Sequence, residues 1–161
     1  MQFAADAMLG RLARWLRLSG YSVYYSRTSS DEDLLKRAMK QGLVLLTRDG
    51  ALAGRAEKLG IRVVLIHSTD VEEQLLQLAD ELGLRYECTP VRALCPLCNG
   101  PLVEVGKEEV RGKLPAGVVE SVDTFYRCSR CGKYYWHGTH WKNIAQRVER
   151  IGGRLQASRE G

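Results

Sequence analysis

The sequence predicts an α/β chain in two parts: a mainly parallel sheet with helices on both faces, followed by a small β module stapled through cysteine. Two observations carry this. Over residues 1–90, short β-prone runs alternate with helical patterns at spacings that suit right-handed crossovers. In the second half, four of the five cysteines stand as two C-x-x-C pairs. The 161 residues allow a domain of about 90 residues plus a module too small to be held by its own apolar core.

Residues 2–5 are a short apolar start that ends at Asp6. From 7 to 18 the pattern is helical, with Leu9, Leu12, Ala13 and Leu16 on one face and Gly20 as the stop. Arg11, Arg14 and Arg17, three apart, form a drifting stripe on that helix, either a solvated face or a track that holds phosphates. Residues 21–25 are β-prone. A polar segment, 26–30, leads to Asp31, Glu32 and Asp33 at the start of a helix to about Gln41, with Leu34, Leu35 and Ala38 inward. The run L-V-L-L-T-R-D over 43–49 reads as a buried parallel strand that ends on a carboxylate. A helix to Leu59 and an apolar strand over 61–66 follow. After His67, Asp70 and Glu73 form an Asp-x-x-Glu capping pattern before a helix to about Leu82.

In open parallel sheets the site lies outside the carboxyl ends of the strands. Asp6 and Asp49 stand where a strand hands over to a helix, Asp70 is placed similarly, and 31–33 open a helix able to lean over the same edge. Each alone reads as a helix cap. Together they supply several carboxylates at one end of the sheet, and clustered hard oxygen ligands select Mg²⁺ or Mn²⁺. Such a site suits phosphodiester hydrolysis: one ion lowers the pKa of the attacking water and a second stabilises the departing oxygen. The sequence has no G-x-G-x-x-G, no G-x-x-x-x-G-K-[ST] and no nucleophile elbow, which argues against dinucleotide, P-loop and acyl-transfer chemistry. His67 reads more simply as a structural or surface residue than as part of the site.

Cys95, Cys98, Cys128 and Cys131 form two knuckles of identical spacing, each with a glycine just beyond it. Two such turns bring four thiolates within tetrahedral reach of one Zn²⁺, so the module reads as a zinc ribbon with a closed, structural site. β-prone pieces at 102–105 and 118–122 are expected to form a hairpin with its loop near 114–117, and Cys88 is left as a buried spare thiol. K-Y-Y-W-H-G-T-H-W-K over 133–142 interleaves aromatics with cations; Lys133, Trp136 and His140 are placed to meet unpaired bases and phosphates. Packing of these aromatics against the first part is the alternative. Residues 143–151 form a basic amphipathic helix and 152–161 a frayed end. The parts are therefore 1–90, 91–145 and 146–161.

Charge follows the same division. Residues 1–90 hold 12 Lys+Arg and 12 Asp+Glu, and 91–161 hold 12 and 7, so the net +5 lies in the second half. A basic part joined to a neutral, acid-bearing one points to a polyanion such as nucleic acid, although a solvated basic face explains the charge equally well. Without an apolar h-region near Met1 or a membrane-spanning run, the expected setting is soluble and cytoplasmic, with no membrane partner.

These residues resemble the Mut7-C family, in which a PIN-like ribonuclease domain precedes a zinc ribbon. The resemblance rests on D-A-M-L-G-R-L-A-R-W-L-R at 6–17, L-T-R-D at 46–49, the paired knuckles and Y-W-H-G-T-H at 135–140, and it spans nearly the whole chain. It implies a PIN-type fold and metal-dependent cleavage of single-stranded RNA. Asp6, Asp31 and Asp49 then match the catalytic acids that hold Mg²⁺ or Mn²⁺, with Asp33 as the fallback for Asp31 and Asp70 as the nearest additional acid. The resemblance also implies phosphate contacts by Arg11, Arg14 and Arg17, and Arg48 of the L-T-R-D motif joins them as an RNA-contacting candidate. The leading expectation is an endoribonuclease leaving 5′-phosphate and 3′-hydroxyl ends, with the ribbon aiding RNA binding. A non-catalytic RNA-binding adaptor and a partner-controlled, toxin-like PIN protein are the alternatives. PIN-like domains often dimerise, and no feature of the sequence decides whether this one forms a homodimer.

Overall fold

The apolar runs of the first half become parallel strands because each is short, β-prone and followed by a helix long enough to cross back. The computed structural model describes residues 1–87, 89 and 91–161, apart from the side chains of Thr139, His140 and Trp141. The expectations for Cys88 and for His140 lie outside the described residues. Strands β1 (Phe3–Ala5), β2 (Val23–Tyr25), β3 (Val44–Thr47) and β4 (Val63–Leu65) pair in the order β2-β1-β3-β4, every pair parallel. The period-two alternation of strands sorts the core. Phe3, Ala5, Val44 and Leu46 pack on α1 (Gly10–Leu18) and α4 (Val71–Leu82), whereas Ala4 and Leu45 pack on α2 (Asp31–Gln41) and α3 (Gly50–Lys58). From β1 the chain first moves outward to β2, then returns past β1 to β3. The switch point of the sheet therefore falls between the carboxyl ends of β1 and β3.

The second half folds as an antiparallel sheet, β5 (Leu102–Val105), β6 (Phe125–Cys128) and β7 (Tyr134–Trp136), with α5 (Lys107–Val110) and α6 (Ala116–Ser121) inserted between β5 and β6. Residues 118–122, expected as a strand, are largely helix α6. Val118 and Val119 lie on the helix and Val122 follows it as an extended C-cap, and all three pack with Val110 and Phe125. That tertiary contact overrides their β-branched preference.

The expected frayed end is also helix. Helix α7 runs Thr139–Glu160, across the division at 145/146 and through Gly152 and Gly153. Each glycine costs about 1 kcal/mol in a helix interior. Burial outweighs that cost, because Ile151 is fully buried in the core with α4 and Leu155 packs beside it. Arg150 reaches Glu72 at 3.5 Å and Arg154 reaches Glu73 at 2.7 Å, exposed pairs that add little beyond register.

Arg17 departs most from expectation. It is 4% exposed, so it cannot hold phosphate, and it leaves the RNA-contacting set. Its Nε and Nη2 donate to Val23 O at 3.1 and 2.8 Å, and Nη1 donates to Pro96 O at 2.9 Å. Leu94 N returns a bond to Arg17 O at 2.8 Å. Beside it, Asn99 Oδ1 accepts from Val23 N at 3.0 Å and Asn99 Nδ2 donates to Ser22 Oγ at 2.9 Å. One guanidinium and one amide thus clamp the first knuckle onto β2. Replacing Arg17 with Lys removes the planar fork and strands at least one buried carbonyl, so Arg17→Lys should cost on the order of 2–3 kcal/mol, read as a lowered urea midpoint.

Candidate active site and metal centre

The end of β1 delivers Asp6 and the end of β3 delivers Asp49 to the switch point. Asp6 precedes a 3-10 turn over Ala7–Leu9, yet its side chain makes no capping bond. Its Oδ2 instead accepts from the hydroxyl of the fully buried Thr47 at 2.9 Å. The same Thr47 Oγ1 accepts from Asp49 N at 3.0 Å. Thr47 therefore fixes the two acids relative to each other. Asp49 does cap its helix: Oδ1 accepts from Ala51 N at 2.9 Å and Leu52 N at 3.3 Å. Asp6 Oδ1 and Asp49 Oδ2 carry no hydrogen bond among the described residues. The turn holding Asp6 is braced by Tyr25, whose hydroxyl donates to Ala7 O at 2.8 Å. A Cβ at Gly10 would come within 2.7 Å of that hydroxyl, so the close approach needs glycine.

The remaining acids separate by role. Asp31 and Asp33 are exposed in the first turn of α2, where Ser30 is the cap, its Oγ accepting from Asp33 N at 3.2 Å. Glu32 is paired with Arg55 and ties α2 to α3. Asp70 caps α4, its Oδ1 accepting from Glu73 N at 3.0 Å. Among the described residues, Asp6, Asp31 and Asp49 do not converge tightly enough to form a ligand cluster as the four cysteines do. Arg48, between Thr47 and Asp49, is half-buried, and its Nε is buried with no hydrogen-bond partner among the described residues. Arg11, Arg14, Lys133 and Trp136 line one groove of about 740 Å³. Sequence reasoning missed Thr47, Tyr25 and Asn99 as positioning residues; the Thr-x-Asp at a strand end was the available signal for Thr47.

In the ribbon, the Sγ atoms of Cys95, Cys98, Cys128 and Cys131 all lie within 4.8 Å of one another. Cys95 to Cys131 is 3.8 Å and Cys98 to Cys128 is 3.3 Å. Tetrahedral Zn²⁺ with bonds of about 2.3 Å needs sulfurs about 3.8 Å apart, so the four thiols fit zinc with small adjustment. Burial raises the Cys128 thiol, but the N–H groups of Cys131 and Arg130, with the neighbouring thiols, outweigh it and hold Cys128 at about 6. Burial and the hydrogen bond toward Cys128 push Cys98 up to about 12. Zinc would take the sulfurs as thiolates, so its uptake is linked to proton release. Asn99 adopts φ 69° in the first knuckle. At Gly100 a Cβ would stand 2.8 Å from Cys128 Sγ and 3.2 Å from Cys98 Sγ. Metal analysis should return one zinc per chain. Gly100→Ala, which presses a methyl onto two sulfurs, should weaken zinc binding about tenfold or more and lower the thermal midpoint with it.

A family model described as the Mut7-C RNAse domain matches residues 1–148. No curated protein and no solved structure matches the chain. The match takes in the parallel sheet, the acid edge and both cysteine knuckles, and the chain belongs to the Mut7-C RNase domain family.

Proposed function

We propose that the protein is a divalent-metal-dependent ribonuclease that hydrolyses single-stranded RNA at the carboxylate edge between β1 and β3. The observation that carries this reading is the bonding of Asp6. Its carboxylate lies at the switch point, caps nothing, and is oriented by a buried hydroxyl that also positions Asp49. Helix capping therefore accounts for one oxygen of Asp49 and neither oxygen of Asp6.

Asp6 and Asp49 are the residues that would hold Mg²⁺ or Mn²⁺, and Asp31 at the start of α2, which the fold does not bring into one tight cluster with them, would have to move closer to serve as the third acid; their donors are all hard oxygens, as these ions require. When bound, the ions supply activation of water and neutralisation of charge at the phosphodiester. The chain's own residues do the rest. Thr47 keeps Asp6 in one rotamer, the N–H groups of Ala51 and Leu52 align Asp49, and the half-buried Arg48 between Thr47 and Asp49 offers its guanidinium to a phosphate oxygen. In the hydrolysis, the oxygen of water joins phosphorus and the P–O3′ bond breaks, giving 5′-phosphate and 3′-hydroxyl ends.

The test is cleavage of labelled single-stranded RNA in Mg²⁺ or Mn²⁺. Asp49→Asn keeps the cap and should lower the rate on the order of 100-fold or more while RNA still binds. Thr47→Val should slow turnover about tenfold to 100-fold through misplacement of Asp6, and Thr47→Ser should restore it. Equal cutting by native protein and Asp49→Asn would place the chemistry elsewhere. Binding without cutting by both would make the protein an RNA-binding adaptor.

A further inference from the structure

We infer that the groove between α1, the first cysteine knuckle and α7 is a second RNA site, which anchors an unpaired stretch of the strand away from the carboxylates. The inference rests on the reading of the chain as a protein that acts on single-stranded RNA, and it goes further by assigning a second place on the protein to the bound strand. Helix α1 leads from the turn that carries Asp6 toward the knuckle clamped by Arg17. The groove follows its outer side for about 740 Å³, well within the range of clefts that hold compact ligands, roughly 300–1,000 Å³.

Four cations line it, Arg11 and Arg14 from α1, Lys133 from the ribbon and Arg147 from α7, and no carboxylate does so among the described residues. That balance fits a polyanion and disfavours an acidic-and-basic protein surface. Between the cations stand ring faces. The Arg147 guanidinium lies 5.8 Å from the centre of the Trp15 ring, and Lys133 Nζ lies 5.8 Å from that of Tyr135. Trp136 is half-buried against the ribbon core, and a Cβ at Gly138 would meet its Nε1 at 3.1 Å, so glycine there leaves the indole edge open. Rings interleaved with cations bind bases whose faces are free, which a duplex does not offer.

The site is built from both halves of the chain, so it exists only while the knuckle is docked on β2. The test uses the Asp49→Asn protein at full zinc content without Mg²⁺ or Mn²⁺, so that RNA stays intact, and follows a labelled oligouridylate by anisotropy together with quenching of tryptophan emission. A blunt RNA duplex should bind at least tenfold more weakly than the unpaired strand. Arg14→Ala and Arg147→Ala, both at exposed positions, should each weaken binding and flatten the log K against log salt slope by about 0.7. Trp136→Ala should raise Kd about tenfold or more, with zinc content as its folding control. Unchanged Kd and slope in both arginine variants, or equal binding of duplex, would overturn the inference. Cleavage by Asp49→Asn at the native rate would instead sink the carboxylate reading and leave the groove intact.

Discussion

The structure depends on one buried guanidinium. Arg17 has no carboxylate partner among the described residues; its charge is met by two backbone carbonyls, Val23 O and Pro96 O, that belong to different halves of the chain. Burial draws its pKa down while the Cys95 and Cys98 sulfurs push it back up. With zinc bound, the four thiolates carry net negative charge beside this cation, so ribbon and arginine stabilise each other. Removing either one leaves the other buried without its counter-charge.

Because of that clamp, the two functions attributed to the chain sit on supports of different stiffness. The carboxylate edge is held inside the parallel sheet by a fully buried threonine and by the N-terminus of α3, all within 1–90. The groove is held by a seam, where Leu18, Ala93, Ile144 and Val148 pack together from α1, the segment before the knuckle, and α7. Its walls come from segments far apart in sequence, and its width is set by how closely they dock. Chemistry requires sub-ångström placement, and strand capture tolerates some adjustment.

The sheet was legible because its signals are local. The strand ending at Thr47 is apolar throughout, α2 begins at Asp31 after a serine cap, and the cysteine spacing specifies its own geometry. The elements misread were those decided by distant contacts. Stepping three residues along a helix turns the side chain back by about 60°, so Arg17 is rotated by about 120° from Arg11 and falls among Leu16 and Leu18 on the buried side. Gly152 and Gly153 signal an end that Ile151 overrides from the far side of the core. At the acid edge the residue types could be read, but not their bonding: nothing local distinguishes Asp6, which is held by Thr47, from Asp49 and Asp70, which cap helices.

The way the knuckle meets β2 has a further effect. β2 is an outer strand of its sheet, and such a strand ordinarily offers free N–H and C=O groups that template pairing with another chain. Here Asn99 and Arg17 occupy both groups of Val23, and the rigid turn that presents Asn99 is the one its cysteines fix. The docked knuckle thereby covers this stretch of edge, and lifting it away would free Val23 N–H and C=O for pairing with another chain.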